Sequence, residues 1–476
     1  MNLPAHTWGI LLASVVVFVM SFRIRNVKLQ YALIFLAGAG IRLAFATTVE
    51  LLNTWDEQYH AVVAKHMSEH PFHPTLYDQH VLSYDYTDWS SNGVWLHKPP
   101  FFLWLMAISI KLFGTSALAV RIPSIVISGI IPVALLSISR RLASPSAGWW
   151  AAAIWIFNPM SVLLATGRYP TDHNDLIFTG CITLSFWAWM KYEEVRNVKW
   201  AVFIGLLVST AVLTKWLTGL WVFLPWILRM VRTRDVADLK LLVLSLTIAA
   251  LPVLAWYSWT FYAFPLEAAY EMAYNSEHFW VAVEGHEGPW WYHFNEIFWH
   301  FGVLTGGLCI LGLYPLYRKR WELIVSLLFV YVFFAFAATK MSGFTFMMAA
   351  PMALSGGYVI AWLQGKWKKW VVFSAALIAL LLQLNAPHLS SVLNVDENPY
   401  RKGRLEMTQT LLNWTETDRR DDWVIFNVPN DQRALFLFYS DAIPYSEPLT
   451  EFKGMKRYNI GTWKDGNIVP LQSAQD

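Results

Sequence analysis

Long apolar runs alternate with short polar connections from the first residues to about residue 385. Runs at 7–22, 29–48, 121–140, 147–164, 176–190, 199–214, 216–229, 241–260, 301–317, 322–338, 343–363 and 369–385 predict twelve membrane-spanning helices. The connections on one side are basic: "RIRNVK", Arg140–Arg141, "KYEEVRNVK", "RMVRTRDVADLK", "YRKR" and "QGKWKK". Lysine and arginine are retained on the cytoplasmic side, so that side faces the cytoplasm. The other side carries a loop from Val49 to Val120, a second from Phe261 to His300, and a tail from Ala386. The N-terminal run has its cations after it and no small-residue cleavage site, which predicts a retained helix that starts outside.

One apolar piece, "PPFFLWLMAISIKLFG", lies inside the first outer loop. Counted as a span, it would turn every later basic connection outward. It is therefore expected to be a helix lying in the outer interface. The pattern changes after residue 385. The tail has 23 charged residues among 91, which places it in water. "GRLEMTQTLLNW" has helical spacing, "DWVIFNV" strand character and "QRALFLFY" helical spacing again. The expected organisation is an all-α polytopic membrane domain over 1–385 and a small α/β domain over 386–476 on the periplasmic side.

Composition agrees with the pattern. Of 476 residues, 56% are hydrophobic and 14% charged, and mean hydropathy is +0.38. A soluble chain of this length would carry nearer a quarter charged residues. The net charge of +3 says little, because what matters is where the cations sit. Cys181 and Cys309 fall in apolar runs and read as buried packing residues.

The distribution of polar residues adds more. All thirteen histidines fall on the outer side, as do Lys98, Arg121, Arg168, Lys215 and Lys340, at or near span ends. Longer outer loops account for the histidines but not for cations that interrupt apolar sequence. Cations gathered at one membrane face suit an anionic partner, a lipid phosphate above all.

Five stretches could carry chemistry. In "TWDEQYHAVVAKHMSEH", Asp56 shares a helical face with His60, and His66 with His70. A carboxylate at an apolar boundary suits a general base, and Asp56 is equally suited to capping the helix. His66 and His70 are at metal-binding spacing without a third ligand nearby, and solvated histidines are expected there. In "WLHKPPFFLW", Lys98 can meet an anion at headgroup level or snorkel. In "ATGRYPTDHNDLIFTG", Asp172 and Asp175 can cap a span beside Arg168. In "AVLTKWLTG", Lys215 needs a carboxylate or a bound anion. "YNSEHFWVAVEGHEGPWWYHFNEIFWH" mixes Glu277, His278, Glu284, His286, Glu287 and His293 with interfacial aromatics.

None of these is specific alone, but their order resembles the GT-C glycosyltransferases that use polyprenyl-phosphate sugars. The similarity is to the group containing lipid A aminoarabinose transferase and protein O-mannosyltransferases, over roughly residues 40–350. It rests on "DE" at Asp56–Glu57, "HKPPFFLW", "VRIPS" at Arg121, "NDLIF" at Asp175, "LTK" at Lys215, "SEHFW" with "GHEGPWWY", and "TK" at Lys340. The resemblance implies a GT-C fold of about twelve transmembrane helices, with Asp56 as the base, Glu57 beside it and Asp175 as the second acid. Lys98 would hold the donor phosphate, assisted by Lys215, Arg121 or Lys340. The helix after Pro100 would form the wall along which the polyprenyl chain lies. This sequence departs from the group at His97, where the aminoarabinose enzyme has a metal-binding glutamate. A zinc, magnesium or manganese ion would then be held by His97 and His278.

The expected chemistry is inverting transfer of a sugar from a polyprenyl phosphate to a hydroxyl or phosphate of a lipid, glycan or protein acceptor. Lipopolysaccharide modification in the cell envelope is the implied setting, at the periplasmic face of a bacterial inner membrane. The partners would be the lipid-linked donor, that acceptor and membrane lipids, with no nucleic acid. A transporter or flippase for an anionic or lipid-linked substrate is the rival class. Transporters place ionisable groups near mid-span, often within inverted repeats, and neither pattern is visible. A scaffold would leave the one-sided charges unexplained.

Overall fold

The computed structural model describes residues 4–48, 51–54, 56–168, 173–384, 399–417, 423–448, 457–464 and 466–472. They fall into two compact units, one from 3–48 with 123–391 and the other from 49–122 with 392–476. The first outer loop thus groups with the tail.

The first unit is helical. Helices α1 (Ala5–Ser21) and α2 (Val27–Ala46) pair, and the Asn26 side chain caps α2 by accepting from Lys28 N at 3.0 Å and Leu29 N at 3.2 Å. Ala117–Leu142 (α5, after α3 and α4 of the second unit, below) runs on into this unit. It is followed by α6 (Pro145–Ile156), α7 (Pro159–Ala165), α8 (His173–Val195) and α9 (Val198–Lys215). The chain bends by 52° between α6 and α7. Buried Arg42 fills the exposed end of α6, donating to Ile156 O at 2.5 Å and Trp155 O at 2.8 Å, while Asn158 caps α7. Both sides of the break are thereby satisfied without water. A 3-10 turn (Trp216–Val222) joins α9 to α10 (Phe223–Thr233), and α11 (Leu239–Ala263) and α12 (Pro265–Trp280) follow.

Helix α13 (Tyr292–Phe301) meets α14 (Val303–Phe336) at 117°, through Gly302 at φ 72°. The expected spans 301–317 and 322–338 form the two halves of α14, separated by a single non-helical residue, Arg320 (φ −145°, ψ 69°). The short α15 (Gly343–Phe346), α16 (Ala349–Lys366) and α17 (Lys369–Gln383) close the unit. Gly357 lets α16 approach α6 closely, since a Cβ there would meet Ala147 O at 2.4 Å.

Where the structure describes them, the twelve expected spans fall mostly on helix, with 147–164 broken between α6 and α7 and 343–363 between α15 and α16. Among the described residues, four helical segments are long and apolar enough to cross a membrane, or six if each bent pair counts once. The protein is therefore an integral membrane protein with several apolar helical spans. Helices α1 and α17 are apolar but only 17 and 15 residues long. The basic connections pair with acids of their own: Arg320 reaches Glu193 at 2.8 Å and Arg229 reaches Asp238 at 2.7 Å.

The second unit begins with α3 (Asp56–Glu69) and α4 (Phe101–Phe113), which pack together. Helix α4 is the expected amphipathic piece. Its 13 residues span only about 20 Å, too short to cross a bilayer. The tail adds a helix (Pro399–Thr417), β1 (Trp423–Phe426), a helix (Arg433–Tyr439), β2 (Ile443–Pro444), β3 (Asn459–Lys464) and β4 (Asn467–Gln472). Strands lie in the order β2-β1-β3-β4, with β1 parallel to both neighbours and β4 antiparallel. This is the small α/β arrangement expected of the tail, built around a fully buried β1.

Candidate active site

Asp56 opens α3 and is partly exposed, while Glu57, one residue on, is 0% exposed. Glu57 Oε1 accepts from Arg121 Nε at 2.8 Å, and its Oε2 accepts from Arg121 at 3.1 Å, Asn53 N at 2.6 Å and Asn53 Nδ2 at 2.9 Å. Arg121, itself 1% exposed, also donates to Leu51 O at 2.6 Å. A bidentate pair with its remaining valences satisfied is the form in which buried charges are tolerated. Glu57 and Arg121 thus brace the turn before α3, at which Asp56 stands.

Lys98 lies half-buried immediately before Pro99–Pro100 and α4, and makes no hydrogen bond or ion pair among the described residues. Its neighbour His97 is stacked on Trp89 (ring centroids 5.2 Å, 14°) and lies edge-on to Trp95 at 5.7 Å. His60, one turn from Asp56, sits edge-on between Trp95 and Phe102. His66 departs from the expected solvated histidine. It is buried, with Nδ1 at 2.9 Å from Thr75 O, and burial lowers its proton affinity despite Asp78 nearby.

In the first unit, Asp175 lies in the first turn of α8, 1% exposed, and pairs through Oδ1 with Lys215 at the end of α9. Lys215 Nζ also stands 5.3 Å from the centre of the Phe344 ring. The next residue, Trp216, has φ 61°, a conformation that turns the chain sharply after the lysine. Asp175 Oδ2 is buried with no protein partner. Lys340 donates to Phe334 O at 3.1 Å, Ala335 O at 2.8 Å and Ala337 O, so it caps the C-terminus of α14. Arg168 donates to Thr48 Oγ1 at 2.6 Å. Asp172 lies outside the described residues.

In the second outer loop, Glu284 and His278 both meet Tyr274. Glu284 accepts from the Tyr274 hydroxyl at 2.9 Å, and His278 Nδ1 lies 3.2 Å from Tyr274 O. His293 is fully buried with neither ring nitrogen paired. Among the described residues, no three histidine, cysteine, aspartate or glutamate side chains gather as a metal site would require. His97 and His278 remain the residues that would hold the expected ion.

In sequence, Lys215 needs a partner and Arg121 belongs to the cations gathered at one face. Their actual partners, 40 and 64 residues away, carried no local signal. The tail's contribution to the first loop carried none either.

These features define a helical membrane protein with several apolar spans. Residues 97–259 match the family model described as dolichyl-phosphate-mannose-protein mannosyltransferase. The undecaprenyl phosphate-alpha-4-amino-4-deoxy-L-arabinose arabinosyl transferase 2 of Pseudomonas fluorescens is 24% identical over 294 residues, 57% of this chain and 51% of that protein. The chain thus spans about half the length of that curated relative. The apo structure of ArnT from Cupriavidus metallidurans matches with a TM-score of 0.60 at 15% identity, over 87% of this chain and 85% of that one. The same protein bound to undecaprenyl phosphate gives 0.59, over 86% and 74%. The archaeal oligosaccharyltransferase AglB from Archaeoglobus fulgidus, in complex with an inhibitory peptide and a dolichol-phosphate, gives 0.50 at 15% identity, over 86% and 64%. The fold is thus similar to that of ArnT, and the central segment matches a mannosyltransferase family model, in line with the resemblance read from the sequence.

Proposed function

We propose that the protein transfers a sugar, with inversion, from a polyprenyl-phosphate donor to a hydroxyl or phosphate acceptor on the periplasmic face of a bacterial inner membrane. The acceptor is a lipid, glycan or protein of the cell envelope, lipopolysaccharide included. The family signature and the lipid phosphates named for its structural relatives support the donor class. The shorter apolar helices and both halves of α14 complete a twelve-span bundle in this reading.

The observation that carries the reading is Lys98. Arg121, Arg168, Lys215 and Lys340 are all engaged by protein groups, while Lys98 is half-buried before an interfacial helix without a partner among the described residues. A desolvated, uncommitted ammonium binds a phosphate better than one already paired.

The acceptor oxygen attacks the anomeric carbon as the bond to the phosphate oxygen breaks. The acceptor proton passes to Asp56, and polyprenyl phosphate departs with the electron pair, its charge met by Lys98. Glu57 acts through the turn it braces. Asp175 is the second acid, with Lys215 as its cation. An apolar cavity of about 370 Å³, lined by Leu217, Trp221, Leu224, Phe329 and Phe333, suits a stretch of polyprenyl chain.

The test is the full chain in vesicles loaded with polyprenyl-phosphate sugars and envelope lipids. Sugar-bearing acceptor and free polyprenyl phosphate in equal amounts, with the product anomer opposite to the donor's, is the expected result. Movement of intact donor between leaflets with no covalent product would identify a flippase instead.

A further inference from the structure

The turn that presents Asp56 is held from both sides by the tail. Gln58, 2% exposed and two residues past Asp56, accepts through Oε1 from Arg404 at 3.1 Å. Arg404, 4% exposed, also donates to Asp431 O at 2.8 Å. Four residues before Asp56, Leu52 N donates to the Tyr439 hydroxyl at 3.4 Å. Leu51, the residue before it, supplies the carbonyl that Arg121 holds. Further along α3, Lys65 donates to Leu437 O at 2.9 Å, Ser440 O at 3.1 Å and Asp441 Oδ1 at 3.1 Å, and so caps the helix that carries Tyr439.

These contacts are unlike those of an independently folded appendage. Burying an arginine is costly unless its donors are used, and Arg404 uses them on α3 and on the tail's own backbone. The Tyr77 hydroxyl donates to Pro444 O at 3.0 Å, and Val81 N donates to the Tyr445 hydroxyl at 2.9 Å. The first loop and the tail therefore share a polar interior. A side chain that must act within fractions of an ångström depends on such supports, because small misplacements are expensive in rate.

We propose that Arg404 and Tyr439 of the tail are positioning residues, which hold the segment from Leu52 to Gln58 and with it the Asp56 carboxylate in working orientation. The inference rests on the proposed function for its catalytic half only. The tail then belongs to the catalytic apparatus, whatever it contributes to acceptor binding.

The experiment uses the full chain in nanodiscs, with Tyr439→Phe, Arg404→Met and Arg404→Lys. Hydrogen exchange over 51–60 is read beside transfer kinetics. Losing one such hydrogen bond should speed local exchange roughly fivefold. In Tyr439→Phe and Arg404→Met, kcat should fall about tenfold or more with donor KM within twofold, and Arg404→Lys should recover part of it. Unchanged exchange overturns the proposal, whether or not the wild type transfers sugar. Faster exchange with an unchanged kcat overturns it as well. If the wild type transfers nothing yet exchange rises as expected, the proposed function fails and the structural hold stands.

Discussion

Glu57 and Arg121, 64 residues apart in sequence, form a bidentate ion pair at 2.8 and 3.1 Å with both side chains essentially out of solvent. The pair also gathers Asn53 and Leu51, so it fixes the entry into α3. Removing one partner leaves a buried charge. Glu57→Gln and Arg121→Met should each destabilise the fold by about 3–5 kcal/mol. The double variant Glu57→Gln/Arg121→Met should lose much less than the sum of the single changes. Thermal unfolding of the four proteins in a double-mutant cycle measures the coupling. Additive losses would show that the two groups act separately.

Lys98 should behave in the opposite way. With no bond to lose among the described residues, Lys98→Ala should leave the unfolding midpoint within about a degree of wild type. It should still lower kcat/KM by roughly 10²–10³-fold if it stabilises the departing phosphate. Lys98→Arg should retain part of the activity. Donor titration and unfolding curves on the same preparations separate these effects.

These two cations show how much of the site was legible in the sequence. Spacing and hydropathy indicate the positions of the helices, the short α4 and the α/β tail, because those depend on local periodicity. Arg121 and Lys215 stood out as charges in apolar sequence, and Lys98 by its place before two prolines. Which cation was paired and which was not depends on contacts 40 to 64 residues apart, on which local sequence is silent. The same limit hid the grouping of 49–122 with the tail and the single-residue break at Arg320. Glu57 and Asp56 are neighbours in sequence, and burial with the Arg121 and Asn53 contacts sets Glu57 apart.

His80 should contribute to acid sensitivity. Its ring lies against Tyr84 at 4.2 Å and Tyr77 at 4.7 Å, with neither nitrogen bonded, and burial lowers its pKa to about 4. The unfolded chain, with an ordinary value near 6.5, binds the proton first. Above about pH 6.5 the group contributes no pH dependence. As pH falls from there to about 4 it favours unfolding progressively, and below about 4 its effect levels off. Replacing it by an unchargeable ring, His80→Phe, should flatten this part of the profile while keeping the stacking. Unfolding midpoints from pH 7.5 to 4 for both proteins test the sign.

Asp56 carries the central claim. Asp56→Asn keeps the size of the side chain and removes its capacity to accept a proton, whereas Glu57 and Arg121 continue to hold the turn. The decisive measurement is single-turnover sugar transfer by the full-length Asp56→Asn protein in vesicles, with donor affinity measured in parallel. A loss of about 10²–10⁴-fold in the transfer rate, with donor affinity within a few-fold of wild type, is predicted. Transfer at the wild-type rate would contradict the assignment of Asp56 as the base.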